Sequence, residues 1–144
     1  FIPGAGEVLK PLHDEGFTIA LVADGEWESF QNVYRENGLG YCFDAWIVSE
    51  VVGLQKPAPI MFETAMEALH LTDADRSRIV MIGNNLKKDI AGANRQGMIS
   101  VWLSWSPRYF QTVEEPDWQP DYTVATPQEL LALLHRLESQ LEGK

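Results

Sequence analysis

Five polar side chains follow the apolar runs of this chain at points where they would share one site. Asp24 comes directly after the run FTIALVA, and Lys56 closes the loop that follows AWIVS. Asn84, Asn85 and Asp89 follow the run RIVMIG. Because parallel strands end at one edge of a sheet and ligands bind beyond those ends, we expect these groups to converge on one rim.

The ligand that suits this set best is a phosphate group, with or without Mg²⁺. A lysine ammonium neutralises phosphate charge, and carboxylate and amide oxygens are ligands that Mg²⁺ accepts. A glycine turn on the same rim exposes backbone N–H groups ahead of a helix, which suits an anion. A small phosphorylated molecule is therefore the expected partner.

The elements that must position these residues alternate between apolar runs and amphipathic stretches. The predicted strands cover residues 17–23, 45–49, 78–83, 99–103 and 121–124. The predicted helices cover residues 6–15, 26–37, 57–69 and 89–97, with a last helix that begins at Thr126-Pro127. This alternation predicts an α/β fold: a three-layer Rossmann-like core with a mainly parallel sheet and helices on both faces. No internal boundary is visible, so we expect residues 1–144 to form a single domain.

Composition limits the classes of function open to the chain. Its 144 residues include 11 basic and 21 acidic side chains, for a formal net charge of −10. Nucleic acid binding is not expected, because phosphate contacts need a basic surface. There is no apolar run of roughly 18 residues and no secretory signal, so we expect no membrane contact and a cytoplasmic location. Cys42 is the single cysteine and is expected to be buried as a small hydrophobe.

Two features allow two interpretations each. The aromatic loop over residues 104–120 either lines the mouth of the site or a partner surface, or it packs over the end of the sheet. Lys87 and Lys88 either raise the positive potential at the phosphate rim or are solvated lysines at a helix start.

The run LQKPAPIMFETAMEAL, followed by IVMIGNNLKKDIAGANRQGM, resembles the haloacid dehalogenase (HAD) superfamily. The lysine motif of that family, KPxPxxF, is matched by Lys56, Pro57, Pro59 and Phe62. Its acidic motif, GDxxxxD with a Gly-Ala-rich helix, is matched by Gly83, Asp89, Gly92, Ala93 and Gly97. Upstream, PGAGEVLKPLHDEGFTIALVADG is similar to the segment that leads into the family's strand bearing Ser or Thr. The resemblance covers nearly the whole chain.

The resemblance implies a role for each matching residue. Lys56 would be catalytic, neutralising charge on the nucleophile and on the transferred phosphoryl group. Ala23, Asp24 and Gly25 would form the phosphate-binding turn together with Lys56. Asn84 and Asp89 would hold Mg²⁺ directly or through water. The plainer alternatives are a solvated surface lysine for Lys56 and a first-turn helix acid for Asp89.

Three departures from the family pattern weaken this site. No DxDx[TV] nucleophile motif is present and there is no room for one before Phe1, so the core would be incomplete, without its first central strand and without a cap. Ala23 replaces Ser or Thr and has no hydroxyl donor. Asn84 replaces an aspartate, and an amide oxygen lacks the carboxylate charge that strengthens Mg²⁺ binding. Asp24 is a poor substitute nucleophile, because Asp24-Gly25 is more simply a turn.

These features leave two hypotheses from different classes. In the first, the chain is part of a Mg²⁺-dependent HAD phosphatase that acts on a small phosphomonoester, and the initial Phe1 marks a trimmed or partial product. The chain alone would then be inactive and poorly stable, swapped or associated as a homo-oligomer, because a missing central strand leaves backbone groups unpaired. In the second, the chain is a degenerate, non-catalytic HAD domain that binds phosphate or a protein partner.

Overall fold

The computed structural model describes residues 4–104 and 112–142, in which helices and strands alternate along the chain. The strands are β1 (Ala20–Ala23), β2 (Ala45–Val48), β3 (Val80–Gly83), β4 (Ile99–Leu103) and β5 (Tyr122–Val124). The α-helices are α1 (Ala5–Asp14), α2 (Trp27–Glu36), α3 (Ser49–Val52), α4 (Pro59–Ala68), α5 (Ala91–Arg95) and α6 (Pro127–Glu142). Short 3-10 helices cover Gly40–Cys42, Asp73–Arg78 and Pro116–Trp118, and a π-helical turn over Leu86–Ile90 leads directly into α5.

Every strand pairing in the described residues is parallel, as the sequence predicts. β1 pairs with β2, with Ala23 opposite Val48, and β3 pairs with β4, with Gly83 opposite Trp102. β4 also pairs with β5. These pairings form two sheets, because β1 and β3 share no hydrogen-bonded register within the described ranges. A cavity of about 1760 Å³ separates them, and residues 20–23 and 79–83 line it.

Helices cover both faces of the strands, which confirms the three-layer architecture. β3 shows this best, because successive side chains of a strand point to opposite faces. Val80 and Ile82 pack against the core formed by α1 and α6, while Met81 packs against the core formed by α4. The first core contains Val8, Leu12, Leu130, Leu133, Leu134 and Leu137 among its helical residues. The second contains Met61, Phe62, Ala65 and Met66.

Two elements differ from the sequence-based expectation. Residues 50–57 were expected to be a loop, but α3 occupies the start of this segment and ends at Gly53, whose φ of 98° suits a residue without a Cβ. The helix expected from residue 89 begins earlier, at Leu86, because the Asn85 side chain caps it by accepting the Lys88 N–H at 3.1 Å.

The aromatic loop is described only in part. Trp118 is buried against Leu86, Ile90 and Trp102. For this residue, the contacts favour the packing interpretation over a partner surface. Trp105, Tyr109 and Phe110 lie outside the described residues. None of the helices in the described part of the chain combines the length and apolar character needed to cross a bilayer.

Candidate active site

Lys56 lies at the mouth of the cavity, between the end of β1 and the segment that follows β3. Its Nζ donates to the Val22 carbonyl at 2.9 Å and to Asp89 Oδ1 at 2.6 Å. The Lys56 and Asp89 side chains are only 10% and 8% exposed, respectively. The structure therefore brings together two residues that lie 33 positions apart in the sequence. Their chemical roles stay predictions.

Asp24 fixes the backbone of the lysine loop. Its Oδ1 accepts the Lys56 N–H at 2.9 Å, so the turn after β1 is tied to the start of the KPAP segment. Pro59, at the first turn of α4, then directs the chain into the helix. Asp24 was predicted to bind phosphate together with its neighbours. The contact seen here is a positioning contact to Lys56.

Asp89 is held against the end of β3 by its second carboxylate oxygen. Oδ2 accepts the Asn85 N–H at 3.2 Å, while Oδ1 pairs with Lys56. The approach to β3 is so close that a Cβ on Gly83 would lie 2.2 Å from Asp89 Oδ2. Glycine at position 83 is therefore a geometric requirement of the Asp89 position.

The turn formed by Ala23, Asp24 and Gly25 is closed by a hydroxyl that the sequence reasoning missed. The Gly25 N–H donates to Ser49 Oγ at 2.8 Å, and Ser49 is buried. Ala23, also buried, ends β1 opposite Val48. The one available signal for Ser49 was its place at the end of the apolar run AWIVS, directly after that partner strand.

Two further lysines line the mouth of the cavity, Lys87 and Lys88. The Lys88 Nζ lies 3.4 Å from Asp24 Oδ2 and 3.5 Å from Gln55 Oε1. Lys87 is exposed. Among the described residues, the mouth thus carries the ammonium groups of three lysines against two carboxylates, which favours an anion over a cation.

The described residues do not form a magnesium site by themselves. Both oxygens of Asp89 are already engaged, by Lys56 and by the Asn85 N–H. The backbone oxygen of Asn84 accepts the Trp102 Nε1–H at 3.2 Å. Across the described ranges, no group of three or more His, Cys, Asp and Glu residues is placed to hold a metal ion. Asn84 and Asp89 stay predicted ligands that need further oxygen donors.

Two relatives named for activity on small phosphorylated molecules match most of this chain. A 28% identical relative over 139 residues is the glyceraldehyde 3-phosphate phosphatase of Pyrococcus furiosus, a match that covers 94% of this chain and 55% of that protein. A 33% identical relative over 135 residues is the pyrimidine 5′-nucleotidase YjjG of Escherichia coli, with 92% of this chain and 56% of that protein covered. The chain spans about half the length of these relatives.

A solved structure shows the same fold. The HAD-hydrolase YfnB from Bacillus subtilis superposes with a TM-score of 0.78 at 26% identity, covering 92% of this chain and 55% of that one. A family model for haloacid dehalogenase-like hydrolases matches residues 1–97, the segment that contains Lys56, Gly83 and Asp89. The resemblance to the haloacid dehalogenase superfamily is confirmed, and the chain belongs to the haloacid dehalogenase-like hydrolases.

Proposed function

We propose that the natural polypeptide containing this chain is a phosphatase that hydrolyses a small phosphomonoester at the mouth of the cavity. The observation that carries this proposal is the buried Lys56 ammonium, held at the ends of β1 and β3 where a parallel sheet binds its ligands. Two relatives named for small phosphorylated substrates, glyceraldehyde 3-phosphate and pyrimidine 5′-nucleotides, support the same substrate class.

In this proposal Lys56 provides charge and position. Hydrolysis breaks the bond between phosphorus and the ester oxygen, and the phosphoryl group passes to an acceptor oxygen and finally to water. Lys56 neutralises negative charge that builds up on the phosphoryl oxygens, which in a desolvated site lowers the barrier strongly. Asp24 holds the Lys56 backbone in place. Asp89 keeps the ammonium at the mouth until an anion takes its place.

The nucleophile is proposed to lie outside these 144 residues. Family members attack phosphorus with an aspartate on a first strand, and no matching motif is present in this sequence. We place that strand in the cavity between β1 and β3. The chain described here would then bind phosphate without turning it over. Mg²⁺ would bind tightly only when carboxylates from that segment join Asn84 and Asp89.

The test is hydrolysis of a generic phosphomonoester, p-nitrophenyl phosphate, with Mg²⁺ present. The natural polypeptide should turn it over, and residues 1–144 alone should not. Lys56→Ala in the natural polypeptide should lower kcat by about 100-fold or more. Lys10→Ala, which removes a lysine of α1 that does not line the cavity, is the matched control and should leave kcat unchanged. Turnover that survives Lys56→Ala would contradict the proposal.

A non-catalytic role is the second candidate, and two residues favour it. Ala23 offers no hydroxyl at the end of β1, and Asn84 offers no carboxylate after β3. A degenerate HAD domain of this kind would bind phosphate or a protein partner at the same mouth. Phosphate binding by the natural polypeptide without any hydrolysis would favour this candidate. Turnover that Lys56→Ala abolishes would reject it.

A further inference from the structure

The mouth of the cavity has a charge opposite to that of the chain as a whole. The chain contains 11 basic and 21 acidic residues. At the mouth, however, Lys56, Lys87 and Lys88 outnumber Asp24 and Asp89. In the part of the chain that the structure describes, the other charged residues along the cavity are Glu15, Asp75, Arg78 and Glu138, which belong to segments that precede β1 and β3 or to α6. The positive charge is therefore concentrated where the strands end.

Two of the three ammonium groups are held very differently. The Lys56 side chain is 10% exposed and makes two contacts, of 2.6 and 2.9 Å. The Lys88 side chain is 36% exposed, and its two contacts, to Asp24 and Gln55, are 3.4 and 3.5 Å long. An ammonium has three N–H donors, and a long ion pair with a partly exposed lysine contributes little stability. Lys88 can therefore turn towards a bound anion at little cost.

Asp24 lies between the lysine loop and the Lys88 ammonium. One oxygen of this carboxylate accepts the Lys56 N–H at 2.9 Å, and the other lies 3.4 Å from the Lys88 Nζ. The Lys88 backbone is itself fixed, because its N–H donates to Asn85 Oδ1 at 3.1 Å. A second positive group thus stands one carboxylate away from the lysine loop, and it lines the same cavity as Lys56.

We propose that Lys88 binds a second anionic group of the substrate, so that the site favours small molecules carrying a phosphomonoester together with another phosphate or a carboxylate. This inference rests on the proposed function and deepens it by naming a substrate class. Lys88 takes no part in breaking the bond to phosphorus. Its contribution is to binding and to the choice between singly and doubly anionic ligands.

The test compares inorganic phosphate with inorganic pyrophosphate as probes, titrated calorimetrically into the 144-residue chain without Mg²⁺. Lys88→Gln should weaken pyrophosphate binding about fivefold or more while phosphate binding changes by less than about twofold. Lys88→Arg keeps the charge and should restore the preference for pyrophosphate. Lys87→Gln removes the same charge from the neighbouring exposed residue and is the matched control. The same titrations on the natural polypeptide show whether association of the isolated chain affects the measured binding.

The outcomes distinguish a failure of this inference from a failure of the proposed function. Equal weakening of pyrophosphate binding by Lys87→Gln and Lys88→Gln would mean a diffuse charge effect and would overturn the role of Lys88. Equal weakening of both anions by Lys88→Gln would also overturn it. If phosphate binds and Lys56→Gln abolishes that binding, but pyrophosphate shows no dependence on Lys88, only the present inference fails. If neither anion binds, the phosphate site is wrong and the inference fails with it.

Discussion

At the residue scale, Gly83 decides how closely Asp89 can approach β3. A Cβ at position 83 would lie 2.2 Å from Asp89 Oδ2 and 2.5 Å from its Cβ, so the aspartate backbone as well as its carboxylate would have to move. We expect Gly83→Ala to lower the free energy of unfolding by about 1–3 kcal/mol, the usual cost of overpacking. Urea unfolding followed by circular dichroism measures this change.

Gly6→Ala is the matched control for that substitution. A Cβ on Gly6 in α1 would meet only the Leu39 side chain, at 3.7 Å, which is ordinary van der Waals contact. Alanine also favours a helix over glycine by about 1 kcal/mol, so this variant should be as stable as the parent or more stable. Equal losses of unfolding free energy in Gly83→Ala and Gly6→Ala would show that the close approach of Asp89 to position 83 is not the cause of the destabilisation.

We expect replacement of Asp24 to affect the stability of the fold more directly than it affects ligand binding. Its carboxylate accepts the part-buried Lys56 N–H at 2.9 Å, and loss of such an acceptor leaves a donor without a partner. Asp24→Ala is expected to cost about 1–3 kcal/mol in unfolding free energy, and Asp24→Asn less, because the amide oxygen can still accept. Asp73→Ala, at an 89% exposed side chain, should cost no more than about 0.5 kcal/mol. A neutral Asp24→Ala would contradict the positioning role.

Cys42 gives a pH-dependent test of the packing near α1. The residue is fully buried, and burial raises the pKa of the Cys42 thiol above its ordinary value. The thiolate is the reactive form, so at about pH 8 the folded chain should react with a chromogenic disulfide reagent more slowly than a free cysteine. The rate should rise only at higher pH, and it should reach the free-thiol value in urea. Fast labelling of the folded chain would contradict the buried position.

Residue patterns predicted some of the site and missed the rest for a physical reason. Lys56 and Asp89 were predicted as site residues because each belongs to a local motif, and the structure brings the two together in an ion pair. The hydrogen bond between Gly25 and Ser49 and the ion pair between Asp24 and Lys88 have no local signature. They depend on how β1, β2 and the segment after β3 pack together, and no local pattern in the sequence reveals that packing.

At the element scale, the apolar runs predicted that the strands exist, but they predicted the first residue of a strand less well. Residues 17–23 read as one strand, but β1 starts at Ala20. The Ile19 N–H donates to Asp44 Oδ2 at 2.8 Å instead of to a neighbouring strand. Burial extends beyond the hydrogen-bonded ladder, because Phe17 and Ile19 still pack against the core formed by α1 and α6. Hydrophobicity therefore marks the buried segment, and side-chain hydrogen bonds decide where the strand begins within it.

The close contact between α4 and α5 depends on Gly92. Gly92 lies against the ring of Phe62, the last residue of the lysine motif. A Cβ at position 92 would lie 2.3 Å from the Phe62 ring, which is itself buried at 2% exposure. We expect Gly92→Ala to lower the unfolding free energy by about 1–3 kcal/mol because the ring has little room to move. A double-mutant cycle with Phe62→Leu tests the cause. The double variant should lose less than the sum of the two single losses, and strict additivity would contradict direct contact.

At the scale of the whole molecule, the division into two sheets is the dominant feature. Among the described strands, β1 pairs with β2 alone and β3 with β4 alone, so each presents one edge to the cavity of about 1760 Å³. Lys56 spans the gap at one end through Val22 and Asp89. Open strand edges and an apolar cavity favour pairing with another chain, which is why the sequence led us to expect association of the isolated chain.

We therefore predict that the isolated chain associates as its concentration rises, and that an added strand reverses this. Light scattering coupled to size exclusion should show a mass that increases with loading. A peptide of about eight apolar β-branched residues ending in aspartates should restore a monomer and raise Tm, because both strand edges would gain partners and the acidic end would face Lys56. The control is the same peptide with a central proline, which cannot complete the ladder and should have no effect. A chain that stays monomeric at every concentration and binds neither peptide would show that the open edges of β1 and β3 do not pair with an added strand.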